Sequence, residues 1–368
     1  MKLCDTFRPR LSWEAVGLIF LGLFVFTGSG CASSGLHSET VQSSSRYNVG
    51  YRVVDLEFKE GDPAKILTVA VWYPTAQRPR KYEYGGPTIG KVALNAKLYR
   101  QPEPYPLLVF SHGYGGGGIG SVFFTEALAA RGWIVAAPDH NDRYSAVRIR
   151  GGQNKHFDRR GFRRHARLIS SSTPEDRAAY LYRLDEIKLV FDRILRSERF
   201  GEFIDKDKIA VGGHSFGGFT ALGLCGTIGA RRDNRIKGVL LFSTGAGGYL
   251  YKEKELARVK IPSMYFLGQR ERRQKRGTKT MAELADKVYR NLAPPKYFLE
   301  VKGANHFSFN NRFTTRRGTR YLSGTEAQFE VIRRYSVAFL EKHVAGKQDA
   351  GDVLGKKDAL LERYFRSP

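Results

Sequence analysis

Val211-Gly212-Gly213-His214-Ser215-Phe216-Gly217-Gly218 stands between an apolar run, Lys208-Ile209-Ala210-Val211, and a helix-forming stretch, Phe219-Thr220-Ala221-Leu222. The spacing Gly213-x-Ser215-x-Gly217 matches a nucleophile elbow, a sharp strand-to-helix turn that lifts a serine hydroxyl out of a sheet. Glycines at its flanks remove the Cβ atoms that so tight a turn would press together. The helix that follows offers a partial positive charge where negative charge develops during acyl transfer. Five residues of common types do not make a site alone. The pattern acquires meaning only if the chain also supplies a base, an acid and a strand order that brings them to one edge.

Outward from the elbow, short continuous apolar runs recur: Leu107–Phe110, Ile134–Ala137, Val239–Phe242, Ser263–Leu267 and Tyr297–Val301. Runs of this kind are typical of parallel strands buried on both faces. Arg52–Phe58 and Leu67–Pro74 read as earlier strands, the second ended by its proline. Helical spacing marks residues 123–130 and 325–343, the latter with Phe329, Ile332, Val337 and Leu340 inward. A long helix is expected from Thr173-Pro174-Glu175-Asp176, with Tyr180, Leu184, Ile187, Phe191 and Ile194 facing the sheet. Strands alternating with helices predict an α/β class: one domain, a mostly parallel central sheet flanked by helices. Residues 75–106, rich in Gly, Pro and Tyr, read as a surface excursion, and 346–368 as a charged peripheral helix or tail.

The chain has 368 residues, an apolar content of 42%, and a net charge of +25 that permits anionic partners. Its three cysteines, Cys4, Cys31 and Cys225, make neither a disulfide framework nor a metal-ligand spacing, so no metal is expected. Residues 1–30 combine a basic start, an apolar run over Val16–Phe26 and the small residues Gly28-Ser29-Gly30 before Cys31. That layout reads as a secretory signal rather than a spanning helix. It resembles a bacterial lipoprotein signal, although Gly28 stands where leucine is usual. The resemblance implies cleavage before Cys31, lipid attachment there, and a cell-envelope location. The Ser-rich segment 31–46 then reads as a tether, leaving 47–345 for the folded domain.

Four motifs in sequence, Val71-Trp72-Tyr73-Pro74, Ser111-His112-Gly113, Ala137-Pro138-Asp139-His140 and Gly213–Gly218, together resemble the α/β-hydrolase fold. Within it they look like the dienelactone-hydrolase-like branch, which includes platelet-activating-factor-acetylhydrolase-like and cutinase-like esterases. The resemblance covers about residues 47–345 and implies a serine nucleophile, then an acid, then a histidine along the chain. Ser215 is the expected nucleophile. Two histidines follow it. His343 reads as a surface position near a helix end, whereas His306 follows the last strand and is the expected base. The acid is reached by elimination. Asp233 precedes a strand, Glu253, Glu255, Glu283 and Asp286 read as exposed helix positions, and Glu300 lies within a strand. Glu271 remains, standing where the family usually has aspartate; its alternative is a surface glutamate paired with Arg270, Arg272 or Arg273. Acetylhydrolase-like relatives take their aspartate one strand earlier, where this chain reads Leu241-Phe242-Ser243-Thr244 without a carboxylate. The residue after the nucleophile, Phe216, and by resemblance Tyr114, are expected to supply the oxyanion amides. Asp139 and His140 are expected to brace a loop rather than bind metal.

Three segments concentrate the positive charge: 143–168 with nine Lys/Arg and one acid, 270–279 with six and only Glu271, and 312–320 with four Arg. Each follows the carboxyl end of an expected strand, so all three are expected to rim the site as basic loop insertions. They read either as a solvated face or as a surface for anionic substrate or lipid. Nucleic-acid binding is not expected, because no recognised binding fold accompanies the charge. The expectation is a cofactor-free serine hydrolase cleaving a small-molecule or lipid ester. The alternatives are an acyltransferase or thioesterase on the same triad, and a catalytically degenerate, basic surface-binding lipoprotein. The sequence does not specify an oligomeric state.

Overall fold

Apolar runs with no polar face can be buried only between two layers, and they form the middle of the sheet. The computed structural model describes residues 46–58, 65–85, 88–311 and 324–368. The signal, the tether up to residue 45, Cys31 and the arginine segment 312–320 lie outside the described residues. Among the described residues, no helix is long and apolar enough to cross a membrane.

Strands β1 (Asn48–Phe58) and β2 (Lys65–Thr75) pair antiparallel, as do β3 (Arg80–Gly85) and β4 (Thr88–Leu94). The chain continues through β5 (Tyr105–Ser111), α1 (Val122–Ala130) and β6 (Ile134–Pro138). A small ribbon, β7 (Val147–Arg148) with β8 (Gly152–Gln153), precedes α2 (Arg159–Ser171) and α3 (Tyr182–Leu195). Next come β9 (Ile204–His214), α4 (Phe216–Leu222), β10 (Ile236–Phe242), and the short α5 (Gly245–Tyr249) and α6 (Glu253–Leu256). The last part holds β11 (Ser263–Gly268), a ribbon of β12 (Lys275–Arg276) and β13 (Lys279–Thr280), then α7 (Met281–Asn291) and β14 (Lys296–Val301). Helices α8 (Glu326–His343) and α9 (Gly351–Gly355) lead to β15 (Leu361–Ser367).

Among the described residues the main sheet has eleven strands, ordered β15-β14-β11-β10-β9-β5-β6-β2-β1-β4-β3. The six from β14 to β6 run parallel, and β2 joins antiparallel to β6. Alternate residues of one strand serve opposite layers. Val109 and Val211 face Leu184, Phe191, Phe219 and Leu284 on α3, α4 and α7. Leu108, Phe110 and Ala210 face Phe124, Leu128, Ile332 and Phe339 on α1 and α8. Each of these Val, Leu, Ile and Phe side chains, fully buried, contributes about 1.5–3 kcal/mol. Helix α8 starts at Thr325, whose hydroxyl accepts from the Gln328 amide while Gln328 reaches back to the Thr325 amide.

Three expectations change. Residues 75–106 are no mere excursion: β4 pairs with β1, and Tyr84 and Val92 are buried. Most of the glycines and prolines that suggest a loop fall outside or at the ends of strands, while Gly90 sits inside β4 where a Cβ would meet Glu126 and Tyr84, and together they obscure the Tyr82/Tyr84 alternation. The segment 346–368 is not a tail, because β15 closes the sheet beside β14. Arg363 donates to the buried carboxylate of Glu300 on β14 at 2.6 Å, so the charged strand neutralises an acid in the sheet. The expected long helix starts as a 3-10 turn, Asp176–Tyr180, that brings Tyr180 in against Phe216 (5.2 Å between rings), and α3 follows.

Candidate active site

The carboxyl ends of β5, β9, β10, β11 and β14 open at one edge, where parallel strands of α/β sheets present their loops. Ser215 leaves β9 with φ +54°, a conformation that costs a serine roughly 1–3 kcal/mol. Its surroundings enforce that turn. A Cβ on Gly213 would run into the carbonyl of Gly217, and one on Gly217 into the carbonyl of Ser111. The Ser215 amide donates to Phe242 O at 2.8 Å, tying the elbow to β10.

His306 stands on the turn after β14, with Nε2 2.8 Å from Ser215 Oγ. Its Nδ1 lies 2.9 Å from Glu271 Oε2 and 2.7 Å from Ser243 Oγ. The Ser243 hydroxyl donates to that same carboxylate oxygen at 2.6 Å. With that proton committed, Ser243 accepts from His306, so Nδ1 carries the hydrogen and Nε2 presents its lone pair to Ser215. Glu271 is fully buried, and its Oε1 accepts the Gly268 amide at 2.8 Å. A glutamate reaches the imidazole because a 3-10 turn, Gln269–Glu271, carries it past the end of β11. Two bonds join the acid loop to the histidine loop: Arg270 N to Ala304 O, and Gly303 N to Gln269 Oε1, both 2.8 Å. The His306 side chain is 15% exposed. His214 is buried under this turn and held neutral by that burial, its pKa down to about 3; its Nε2 donates to His306 O at 2.8 Å.

The amide of Phe216, first in α4, has no intrahelical acceptor. Beside it runs the loop after β5, close enough that a Cβ on Gly113 would sit 3.1 Å from that of Ser215. Tyr114 on this loop packs edge-on to Phe216, stacks on Phe162 (5.6 Å) and meets His165 Nδ1 with its hydroxyl at 2.5 Å. Phe162 and His165 belong to α2, so the basic segment 143–168 packs directly on this loop. Asp139 ties the two together, accepting the Gly118 amide at 2.7 Å and the Ile149 amide at 2.8 Å; burial raises its pKa to about 6. The outer face of α2 exposes Arg159, Arg160, Arg163, Arg164 and Arg167. The segment 270–279 forms the acid loop and the β12–β13 ribbon.

The remaining carboxylates stand apart from His306. Glu255 is buried rather than exposed, bidentate with Arg177 at 2.7 Å, because α6 packs down beside the 3-10 turn that carries Arg177. Asp233 binds Arg235, and Glu300 lies in the sheet. His343, the last residue of α8, is half-buried rather than fully exposed: it packs on Tyr297 and Phe339, and burial lowers its pKa to about 4. Cys225 is a free, buried thiol in the turn continuing α4. No group of three or more His, Cys, Asp or Glu among the described residues could hold a metal ion.

Sequence reasoning passed over Ser243, His165 and a buried cluster behind the loop after β5. There Ser111 Oγ lies 2.8 Å from His140 Nε2, and His140 Nδ1 2.6 Å from Glu186 Oε2. Arg183, also fully buried, belongs to the same cluster. One signal for it was present: Arg183 falls on the helical stripe of Tyr180, Leu184 and Ile187, where a charge is out of place.

The family model described as "Platelet-activating factor acetylhydrolase, isoform II" matches residues 64–166. The platelet-activating factor acetylhydrolase of Canis lupus familiaris is 27% identical over 298 residues, 72% of this chain and 62% of that protein. The enzyme of the same name from Cavia porcellus is 26% identical over 275 residues, 66% of this chain and 58% of its own. The chain thus spans about three fifths of the length of these curated relatives. A ferulic acid esterase structure from Streptomyces cinnamoneus superposes with a TM-score of 0.62 at 22% identity, covering 87% of this chain and 94% of its own. This chain has the α/β-hydrolase fold and is similar in sequence to the platelet-activating factor acetylhydrolases and in fold to the ferulic acid esterase.

Proposed function

We propose that this chain hydrolyses carboxylic esters through an acyl-enzyme. Ser215 attacks the ester carbonyl while His306 Nε2 takes its proton. Glu271, with Ser243 beside it, keeps that imidazole in the reactive tautomer and stabilises the imidazolium. The amides of Phe216 and Tyr114 receive the oxyanion. His306 then protonates the departing alcohol and activates the water that releases the acid. The observation that carries this reading is the unbroken hydrogen-bonded line from Ser215, at positive φ, through His306 to a buried carboxylate. Names of relatives ending in acetylhydrolase and esterase support the same reaction type, and no step requires a cofactor.

The aromatic wall of Tyr114, Phe162, Tyr180 and Phe216 suits a short acyl group or an aromatic one. The arginines of α2 suit an anionic or lipid-like ester. Lipid attachment at Cys31, with residence at the cell envelope, belongs to the same proposal and is tested by palmitate labelling of wild type against Cys31→Ser. Hydrolysis of p-nitrophenyl esters graded from acetate to laurate tests the reaction. Turnover lost in Ser215→Ala supports it; no turnover by wild type favours a degenerate, surface-binding protein. Activity on an anionic ester should fall with added salt more steeply than on a neutral one, and equal responses would remove the role of the arginines.

A further inference from the structure

A buried arginine on an apolar helix face is costly unless its contacts repay it. Arg183 has no exposed surface, and α3 surrounds it with Leu184, Ile187 and Val190. Its carboxylate neighbour, Asp142, stands off at 3.5 Å, while Nε and Nη1 make no hydrogen bond. The two close contacts it does make reach the loop after β5 and the first residue of α4, which carry the two proposed oxyanion amides. Nη2 donates to the carbonyl of His112 at 2.6 Å, and the guanidinium carbon lies 5.0 Å from the centre of the Phe216 ring.

The His112 contact reaches further than one carbonyl. The His140 amide donates to His112 Nε2 at 3.1 Å, so that nitrogen carries no proton and Nδ1 does. Nδ1 then donates to the carbonyl of Gly113 at 2.7 Å. That carbonyl and the Tyr114 amide belong to one peptide plane, and fixing the oxygen fixes the opposite direction of the N–H. The Gly116 amide holds the same oxygen at 3.0 Å. Once Nδ1 carries its proton, the 3.4 Å approach of Arg183 Nη2 to it is a contact rather than a bond.

We infer that Arg183 is a positioning residue of the oxyanion hole, holding the His112–Gly113–Tyr114 turn by its carbonyl and the Phe216 side by its cationic face. The inference rests on the Tyr114 and Phe216 amides being the oxyanion donors. Lysine cannot replace it, since an ammonium has neither the planar face nor the fork that spans both contacts.

The test compares wild type, Arg183→Lys and the double variant Arg183→Met/Asp142→Asn, which removes both buried charges together. Substrates are p-nitrophenyl acetate and its thionoester, whose sulfur is a poorer acceptor for oxyanion amides. Loss of one oxyanion donor costs about 10²–10³ in kcat, and a misaligned donor should cost part of that. Both variants should lose roughly 30-fold in kcat with KM within about threefold, and oxygen-over-sulfur discrimination should shrink in parallel. Wild-type kcat in a folded variant overturns the inference. So does a kcat loss with undiminished discrimination, or failure of both variants to fold, because each makes Arg183 a scaffold residue only. An inactive wild type whose Ser215 takes no fluorophosphonate would overturn the hydrolase reading on which this inference rests.

Discussion

Among the described residues, two Ser–His–Glu arrays have nearly the same spacing. Ser215, His306 and Glu271 are joined at 2.8 and 2.9 Å; Ser111, His140 and Glu186 at 2.8 and 2.6 Å. They are neighbours as well, since Ser111 on β5 pairs in register with Gly213 on β9. What separates them is backbone and access. Ser215 sits on a strained turn at a helix start, beside a solvent-touched imidazole and two candidate oxyanion amides. Ser111 is the last residue of β5, still paired in the sheet, and neither it nor His140 has any exposed surface. Hydrogen-bond distances alone therefore do not define a hydrolase site. The outer array is partly open to solvent, with Ser215 half-buried and His306 15% exposed, whereas the inner one is closed off beneath the loop after β5.

The sharpest break between them is nucleophile removal. Ser215→Ala should lower kcat on p-nitrophenyl acetate by at least about 10⁴-fold with the fold retained. Ser111→Ala should leave kcat within a few-fold and cost about 1–2 kcal/mol in urea unfolding, the value of one buried hydrogen bond. Comparable kcat losses in the two variants would erase the distinction.

Next comes the acid. Glu271→Gln should cost about 10³–10⁴ in kcat through loss of the tautomer and of imidazolium stabilisation. Because Ser243 already touches His306 Nδ1, an aspartate there can take over from one strand earlier. Ser243→Asp added to Glu271→Ala should regain at least about tenfold over Glu271→Ala alone. No recovery would mean that the end of β10 cannot present an acid to this histidine.

The smallest effect is on stability. Burial, then the Arg183 charge, holds the His140 pKa well below its usual 6.5. The unfolded chain therefore binds a proton that the folded chain refuses. The stability this residue contributes is complete above about pH 6.5 and declines as pH falls below it, by up to about 1.4 kcal/mol per pH unit. Glu186, raised by burial, faces this ring and works in the opposite sense at more acidic pH. Urea unfolding at stepped pH should show the stability advantage of wild type over His140→Gln shrinking below pH 6.5. A constant difference would mean that His140 is not held neutral.

Much of this was legible in the sequence. The parallel strands were visible because burial on both faces demands unbroken apolar runs, and the elbow because only glycine fits around Ser215. Glu271 emerged by elimination, but its partner Ser243 did not, because a serine after a strand carries no signal of what it will touch. The inner array was hidden for a related reason. Ser111, His140 and Glu186 are far apart in the chain, and only the register of β5 beside β6, with α3 laid over them, brings them together. Strand β15 is not legible in the sequence because Arg363 resembles solvent-facing charge, while its acid partner Glu300 lies within another strand.

Fluorophosphonate labelling followed by peptide mapping tests the central claim most directly. Labelled wild type should carry one adduct, on the peptide containing Ser215, unchanged in Ser111→Ala and absent from Ser215→Ala. An adduct that persists in Ser215→Ala, or that maps to Ser111, would contradict the assignment of the outer array as the reactive one.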